Sequence, residues 1–517
     1  MSILDQTSLF TIPETKRVTY YLLEDAIKYS LNKVSDFEIA FGQNTIFGIV
    51  GPRHSGKTTI LKQIEKSFKD RVFFKTFLDN ENCTTLKQDI ECSKKDIILI
   101  DEICKASFDT QAKFTEIVKD LKIANKIVIY TGSTKNIIIN LFNSIGRGII
   151  IDIGLFSYVE YLSWKNNLDN PLKLNFKDFI NYSTDTSFKN YLSDMQSLVD
   201  ISEYVTISIF DSVISYYNRL GKSGIIGLED KVKKVIRFLA VKQILPLSNF
   251  FEDINTGGVL SKNVKEILSQ INRQYKSLAS EDTLYIKEIL EGCDLISLSR
   301  CCVDNFEQYV FNYPGIITEY LKVLLNTINP DDTKALEDIW VEATILNAAN
   351  KVYDYCGKLR MESSVIDPKT DKYKILEIDL ICKNDLGLNT YAIEVKNSPR
   401  FRAKDKARNA LKLARDINIP DNNFLFTFSE DLEDNPVDNY NSISNHLVLI
   451  YLEYYYFYFI MATNGLSFMP KLNAENPNKL YAQILKANEF FSEHTLEDYW
   501  KDKTLRKQIE REIVALQ

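Results

Sequence analysis

Short, unbroken apolar runs recur through the first third of the chain. They are Ile46 to Val50, "RVFFKTFL" from Arg71, Ile97 to Ile100, "KIVIYTGS" from Lys126 and "GIIIDIG" from Gly148. Runs of this length, with no polar alternation, fit strands covered on both faces. Between them the period changes. Thr59 to Phe68 places Ile60, Leu61, Ile64 and Phe68 at helical spacing. Strands alternating with helices predict a parallel sheet in an α/β layer architecture.

The pattern then shifts twice. Residues 165 to about 325 read as short amphipathic helices. "DTLYIKEILEGCDLISLSRCCV" from Asp282 reads as helix, turn and strand, with Leu284, Ile286, Ile289 and Leu290 on the apolar face and Gly292 at the helix end. Further on, "YKILEIDLICKND" and "YAIEVKNS" alternate like strands and flank the turn signal Asn384 to Gly387. They predict a hairpin that brings Asp379 and Glu394 to one end. "NNFLFTFSE" from Asn422 adds a core strand. Residues 446 to 463, "HLVLIYLEYYYFYFIMAT", imitate a membrane span, but Glu453 interrupts them and tyrosines fill the second half. A span needs ~20 mostly apolar residues, so buried strands or a packed core segment are expected. Residues 470 to 517 read as helical and charged and carry no assigned chemistry.

Composition narrows the class. A length of 517 residues exceeds one core and implies two to four domains. Only 18 Gly and 12 Pro imply directly packed, helix-rich domains rather than long linkers. The net charge of −7 argues against a global nucleic-acid footprint, so contact with DNA or RNA would use a local patch. None of the 8 cysteines forms a CxxC pair, so a zinc site is not expected and reduced thiols in a cytoplasm are. The opening MSILDQTSLF shows no signal-peptide pattern.

The densest chemistry follows the first strand. Gly51, Pro52, Arg53, His54, Ser55, Gly56, Lys57 and Thr58 fit GxxxxGK[ST], and Thr59 continues into the helix. Glycines let backbone N–H groups curl around phosphate oxygens, and the helix N-terminus adds positive charge. Lys57 would reach the β- and γ-phosphates of ATP, and Thr58 would ligate Mg²⁺. The strand Ile97 to Ile100 ends in Asp101 and Glu102. There, Asp101 would hold Mg²⁺ through water and Glu102 would orient the attacking water. Ser133 closes "TGS" at the sheet edge, as a γ-phosphate sensor or a simple strand cap. Arg147 either reaches a γ-phosphate, in its own or a neighbouring subunit, or is solvated.

The second constellation is Asp379, Glu394 and Lys396. Two carboxylates could bind Mg²⁺, and the adjacent Lys396 could position or deprotonate water and offset developing charge. Glu342 falls on the apolar face of a helix from Ala335, where a carboxylate needs a partner or a metal. From Glu394 to Asp416, Lys396, Arg400, Arg402, Lys404, Lys406, Arg408, Lys412 and Arg415 outnumber Glu394, Asp405 and Asp416. That stretch could track a phosphate backbone, or be a solvated helix face.

"GPRHSGKTT", "ILIDE", "YTGST", "GRGIIIDIG" and "LFSYVEYL" occur in an order that resembles the AAA-type ATPases of bacteria and archaea. Many of those proteins continue into a winged-helix segment and a PD-(D/E)XK nuclease-like domain. The resemblance implies an α/β protein with a P-loop ATPase core over 1–164, a helical lid over 165–230, a winged-helix-like segment over 231–328 and a mixed α/β nuclease-like domain over 329–517. It implies DNA as partner, a Glu342-like helix carboxylate as metal ligand, and a homo-oligomer. One departure is Gly154, Leu155 and Phe156, where the family usually has a proline. Two functions follow. One is an ATPase coupled to DNA cleavage, and the other is a nucleotide-switched scaffold whose nuclease-like domain binds without cutting.

Overall fold

The computed structural model describes residues 16–32, 45–52, 55–78, 81–123, 125–146, 148–154, 156–168, 174, 176–197, 227–244, 262–292, 295–303, 307–312, 330–351, 353, 355–367, 372–383, 390–397, 400–421, 424–429, 441–454 and 456. Arg53, His54, Arg147, Leu155 and the segment 470–517 lie outside the described residues, as do 455 and 457–463.

A helix α1 (Val18–Asn32) precedes a five-stranded parallel sheet made of β1 (Ile46–Val50), β2 (Val72–Thr76), β3 (Ile97–Asp101), β4 (Ile127–Gly132) and β5 (Ile149–Asp152). The strand order is β2-β3-β4-β1-β5. The connecting helices are α2 (Lys57–Phe68), α3 (Leu86–Ser93), α4 (Phe108–Ile123) and α5 (Lys135–Ile145). Every residue of β1, β3 and β4 is buried, as expected of strands covered on both faces. The order reverses at β1, which pairs with β4 on one side and β5 on the other. Ligands of open α/β sheets bind at the carboxyl ends of strands beside such a reversal.

Helices α6 (Tyr158–Lys165), α7 (Phe176–Tyr182) and α8 (Asp185–Ser197) follow. The start of α6 is fixed by a capping box: Glu160 N–H donates to Ser157 Oγ at 3.2 Å, and Ser157 N–H donates to Glu160 Oε2 at 3.1 Å. Next come α9 (Leu228–Ile244), α10 (Lys262–Lys276) and α11 (Ser280–Gly292). An antiparallel ribbon of β6 (Ile296–Arg300) and β7 (Glu307–Phe311) then follows, in register from Ile296 opposite Phe311 to Arg300 opposite Glu307.

The last third is a second sheet, ordered β12-β11-β10-β9-β8. Helix α12 (Pro330–Asn350) leads into β8 (Tyr355–Asp367), β9 (Lys372–Lys383) and β10 (Tyr391–Glu394), which pair antiparallel. Helix α13 (Arg400–Asp416) then crosses to β11 (Phe424–Phe428) and β12 (Asn441–Ser444), which add in parallel. The expected hairpin is present, with Ile393 opposite Leu380. Residues 445–454 form helix α14 (Asn445–Tyr454), not a strand. A short apolar run does not reveal its period, and this helix is apolar because it is buried.

The two sheets share one core. Val18 and Leu22 of α1, Ile49 of β1, Tyr161 of α6, Ile345 of α12, Ile393 of β10 and Leu449 of α14 belong to a single buried cluster. A separate cluster joins the other face of the second sheet to α13, through Ile378, Phe424, Phe426, Ala410 and Leu411. Among the described residues no helix is long and apolar enough to cross a membrane.

Candidate functional site

Gly51 and Pro52 follow β1, and Gly51 is pressed against the chain just after β5. A Cβ on Gly51 would lie 2.1 Å from the carbonyl oxygen of Ile153, so only glycine fits. Gly56 takes a left-handed φ of 86° at the start of α2. Lys57 is 3% exposed, and its ammonium donates to the carbonyls of Gly51 at 2.8 Å and Pro52 at 2.6 Å. A lysine folded back over its own loop beside a helix N-terminus suits a phosphate anion.

The carboxylate of Asp101 meets this loop from β3. Thr58 Oγ1 donates to Asp101 Oδ2 at 2.9 Å, and Thr131 Oγ1 of β4 donates to Oδ1 at 2.7 Å. Burial pushes the Asp101 carboxyl upward, while the two hydroxyls and Lys57 pull the other way. The next residue, Glu102, has a φ of 53°, a left-handed conformation uncommon for a residue with a Cβ. Its N–H donates to Thr131 Oγ1 at 3.1 Å, and its carboxylate accepts from Ser133 Oγ at 3.3 Å. The donor set of a hydroxyl and a carboxylate beside an anion cradle fits Mg²⁺ with a nucleotide. Sequence pattern singled out Ser133; the structure gives Thr131 the tie to both acidic residues.

The second site lies between β8, β9, β10 and α12. Asp379 and Glu394 are 3% and 5% exposed. Val395 N–H donates to Asp379 Oδ2 at 2.9 Å, and Asp379 N–H reaches Glu394 Oε2 at 3.3 Å. The Lys396 ammonium lies 3.0 Å from Asp379 and 2.5 Å from Glu394. A second lysine, Lys358 of β8, lies 2.6 Å from Glu342 and 3.6 Å from Asp379, and also pairs with Glu377. Oxygens of Glu342, Glu377 and Asp379 lie within 4.8 Å of one another.

A register shift builds this cluster. Between β8 and β9 the pairing moves from Gly357 opposite Ile381 to Leu359 opposite Ile378. Ile378 packs with α13, whereas Leu380 packs with α12 and α14. Such a bulge re-aims side chains. It keeps Asp379 beside Lys358 and Lys396 while Leu380 still enters the core.

Four carboxylates crowd two ammoniums in a site whose Asp379 and Glu394 are buried and whose Glu342 and Glu377 are partly exposed. Burial, then the charge of Asp379, pushes Glu394 well above the usual carboxylate range. Burial likewise lifts Glu342 to about 7 despite Lys358. Burial opposes ionisation of Asp379 too, but Lys396 and Lys358 outweigh it and hold its carboxyl low. Asp379 and Glu394 flank Lys396 and raise it, against the effect of burial. The all-oxygen donor set of Glu342, Glu377 and Asp379 is of the kind a hard divalent cation takes.

Sequence reasoning passed over Lys358, for which no motif exists, and Glu377, whose two-residue spacing from Asp379 was the available signal. On the exposed side of α13, Arg408, Lys412 and Arg415 face solvent, and Arg415 pairs with Asp421 at 2.5 Å.

Residues 43–162 match the family model described as an AAA domain. No curated protein matches the chain. Among solved structures, one described as "Structural Basis for Katanin Self-Assembly" is 15% identical, with a TM-score of 0.21, covering 53% of this chain and 87% of that one. The crystal structure of protein VC1899 from Vibrio cholerae is 9% identical, with a TM-score of 0.19, covering 81% and 99%. Overlaps this low carry no weight for the fold. The family match, the five parallel strands and the loop closed on Lys57 together identify an AAA-type ATPase domain over residues 43–162.

Proposed function

We propose that the chain couples ATP hydrolysis in its N-terminal domain to Mg²⁺-dependent cleavage of DNA by its last third. In this reading Lys57 and the loop N–H groups bind phosphates, Thr58 and Asp101 hold Mg²⁺, and Glu102 orients water. Residues 165–230 serve as lid. Residues 231–328, which hold most of α9, all of α10 and α11 and the β6–β7 ribbon, serve as a winged-helix segment that joins the domains, and 329–517 serve as a PD-(D/E)XK-like nuclease. One observation carries the nuclease half: Glu342, Asp379, Glu394 and Lys396 converge from α12, β9 and β10 on one buried cluster. A metal bound there would supply Lewis acidity to a scissile phosphate. Lys396 would offset charge on the phosphate oxygens.

A specific feature favours the second reading, a nucleotide-switched scaffold. Lys396 already bridges Asp379 and Glu394, and Lys358 already bridges Glu342, Glu377 and Asp379. Ammoniums in those places compete with a metal. A cleavage assay on linear, nicked and single-stranded DNA decides between them, run with Mg²⁺ or Mn²⁺ and with or without ATP. Cutting that disappears in Asp379→Ala while ATP hydrolysis persists is the expected result. Absence of cutting under every condition, with hydrolysis abolished only by Lys57→Ala, would select the scaffold.

A further inference from the structure

Arg17 stands just before α1, far in sequence from the phosphate loop, yet it is built into it. The side chain is 8% exposed. Its Nη1 donates to the carbonyl of Ser55 at 2.6 Å and of Gly154 at 2.8 Å. The first contact sets a peptide plane. The peptide is planar and trans, so holding the Ser55 carbonyl toward Arg17 turns the N–H of Gly56 the opposite way. The second contact ties the same guanidinium to the segment after β5, against which Gly51 is already pressed. Arg17 thus staples the loop to its neighbour.

Arg17 is itself gripped. Glu160 accepts from its Nε at 3.0 Å and its Nη2 at 2.7 Å, and also from Val18 N–H at 3.1 Å. Burial opposes charge on Glu160, which is 2% exposed, but Arg17 outweighs it and keeps the carboxyl low. Glu160 lies in the first turn of α6, so the orientation of that helix fixes the grip.

The start of α6 is completed by a residue from the last third. The carboxylate of Glu453, near the end of α14, accepts from Val159 N–H at 2.9 Å and from Tyr158 N–H. These are first-turn donors that have no partner within their own helix. Tyr456 adds a hydrogen bond to the carbonyl of Asp152 at 3.3 Å. At the other end of α14, Asn445 Nδ2 donates to the carbonyl of Lys396 at 3.0 Å. A helix rises about 1.5 Å per residue, so α14 is a strut of roughly 12 Å between the strand end that carries Lys396 and the cap of α6.

We propose that Arg17 and Glu453 are positioning residues for the nucleotide loop, so that the C-terminal domain completes the geometry in which the N-terminal domain binds nucleotide. Glu453 acts through α6 and Glu160, and Arg17 acts on the loop carbonyls. The proposal rests on the reading of residues 51–58 as a nucleotide loop.

The test uses full-length protein and a fluorescent ADP titrated to equilibrium, with thermal unfolding recorded in parallel. Arg17→Lys loses the forked contact with Ser55 and Gly154 and is expected to weaken affinity ~10-fold, the scale of one hydrogen bond to a charged group. Glu453→Ala is expected to weaken it ~5-fold or more, and Glu453→Gln, which keeps a carbonyl acceptor, to restore it to within about 2-fold. Ser299→Ala is the control. Ser299 Oγ donates to the carbonyl of Cys356 at 2.5 Å, so the change removes a buried contact between the β6–β7 ribbon and β8, away from the α6 cap. It should leave affinity unchanged. Unaltered affinity in Arg17→Lys or in Glu453→Ala would overturn the proposal. So would an equal loss in Ser299→Ala at a matched fall in melting temperature. The loop reading fails separately, and takes the proposal with it, if wild type binds no nucleotide or Lys57→Ala binds it as wild type does.

Discussion

Glu453 shows how one side chain can carry opposing demands. Its carboxylate caps a helix, which favours the charged form, yet it is enclosed. Burial dominates and lifts its carboxyl to about 7, against the two backbone N–H groups and Lys351, with the Glu160 charge adding to the rise. Tyr191 of α8 also feels its charge. The sign for stability follows. Between the ordinary carboxylate range and about 7, the folded protein holds a proton that the unfolded chain has released, so stability falls as pH rises through that window. The slope is at most about 1.4 kcal/mol per pH unit. Glu453→Gln removes it. Melting temperatures of wild type and variant should therefore diverge in favour of the variant between pH 5 and about 8, with the two closest at the acid end. Parallel curves across that range would mean that Glu453 ionises normally.

At the scale of elements, the loop between β1 and α2 has the least tolerance. Gly51→Ala places a methyl 2.1 Å from the Ile153 carbonyl, so β5 and the loop must separate. Nucleotide affinity should fall at least ~10-fold, with the melting temperature lowered as well, and a titration that matches wild type would show that the two strands part easily. This loop was legible in the sequence because glycine spacing and a buried strand encode it locally. So were β3 with its terminal Asp101 and Glu102, and the β9–β10 hairpin. What escaped depends on partners distant in sequence. Ser157 and Glu160 spell a capping box, but nothing local reveals that Glu160 also grips Arg17. Glu377 and Asp379 alternate as a strand should, and the bulge that gathers both around Lys358 arises from pairing with β8. Residues 446–463 read as strand or core, and α14 at their start was not legible as a helix because periodicity fails when most faces of a helix are covered.

The whole molecule is bound by the cluster that runs from α1 through β1 and α6 to α12, β10 and α14. Apolar burial contributes roughly 25 cal/mol per Å², so an N-terminal fragment ending near residue 164 would expose Val159, Tyr161 and Leu162, which are buried on a helix that packs against α7, α8 and α14. The α6 cap would also lose the Glu453 carboxylate. The fragment should thus be less stable than the same segment in the full chain, with earlier proteolytic cleavage and a lower melting temperature. Nucleotide should shift the full chain as one unit, because a ligand bound to the folded state stabilises whatever unfolds with its site. A saturating ADP analogue would then raise a single calorimetric transition that includes the second sheet. Two transitions, of which only the earlier or the later moves with nucleotide, would show that the shared core does not join the carboxylate cluster to the phosphate loop, and the coupling through α14 would have no energetic basis.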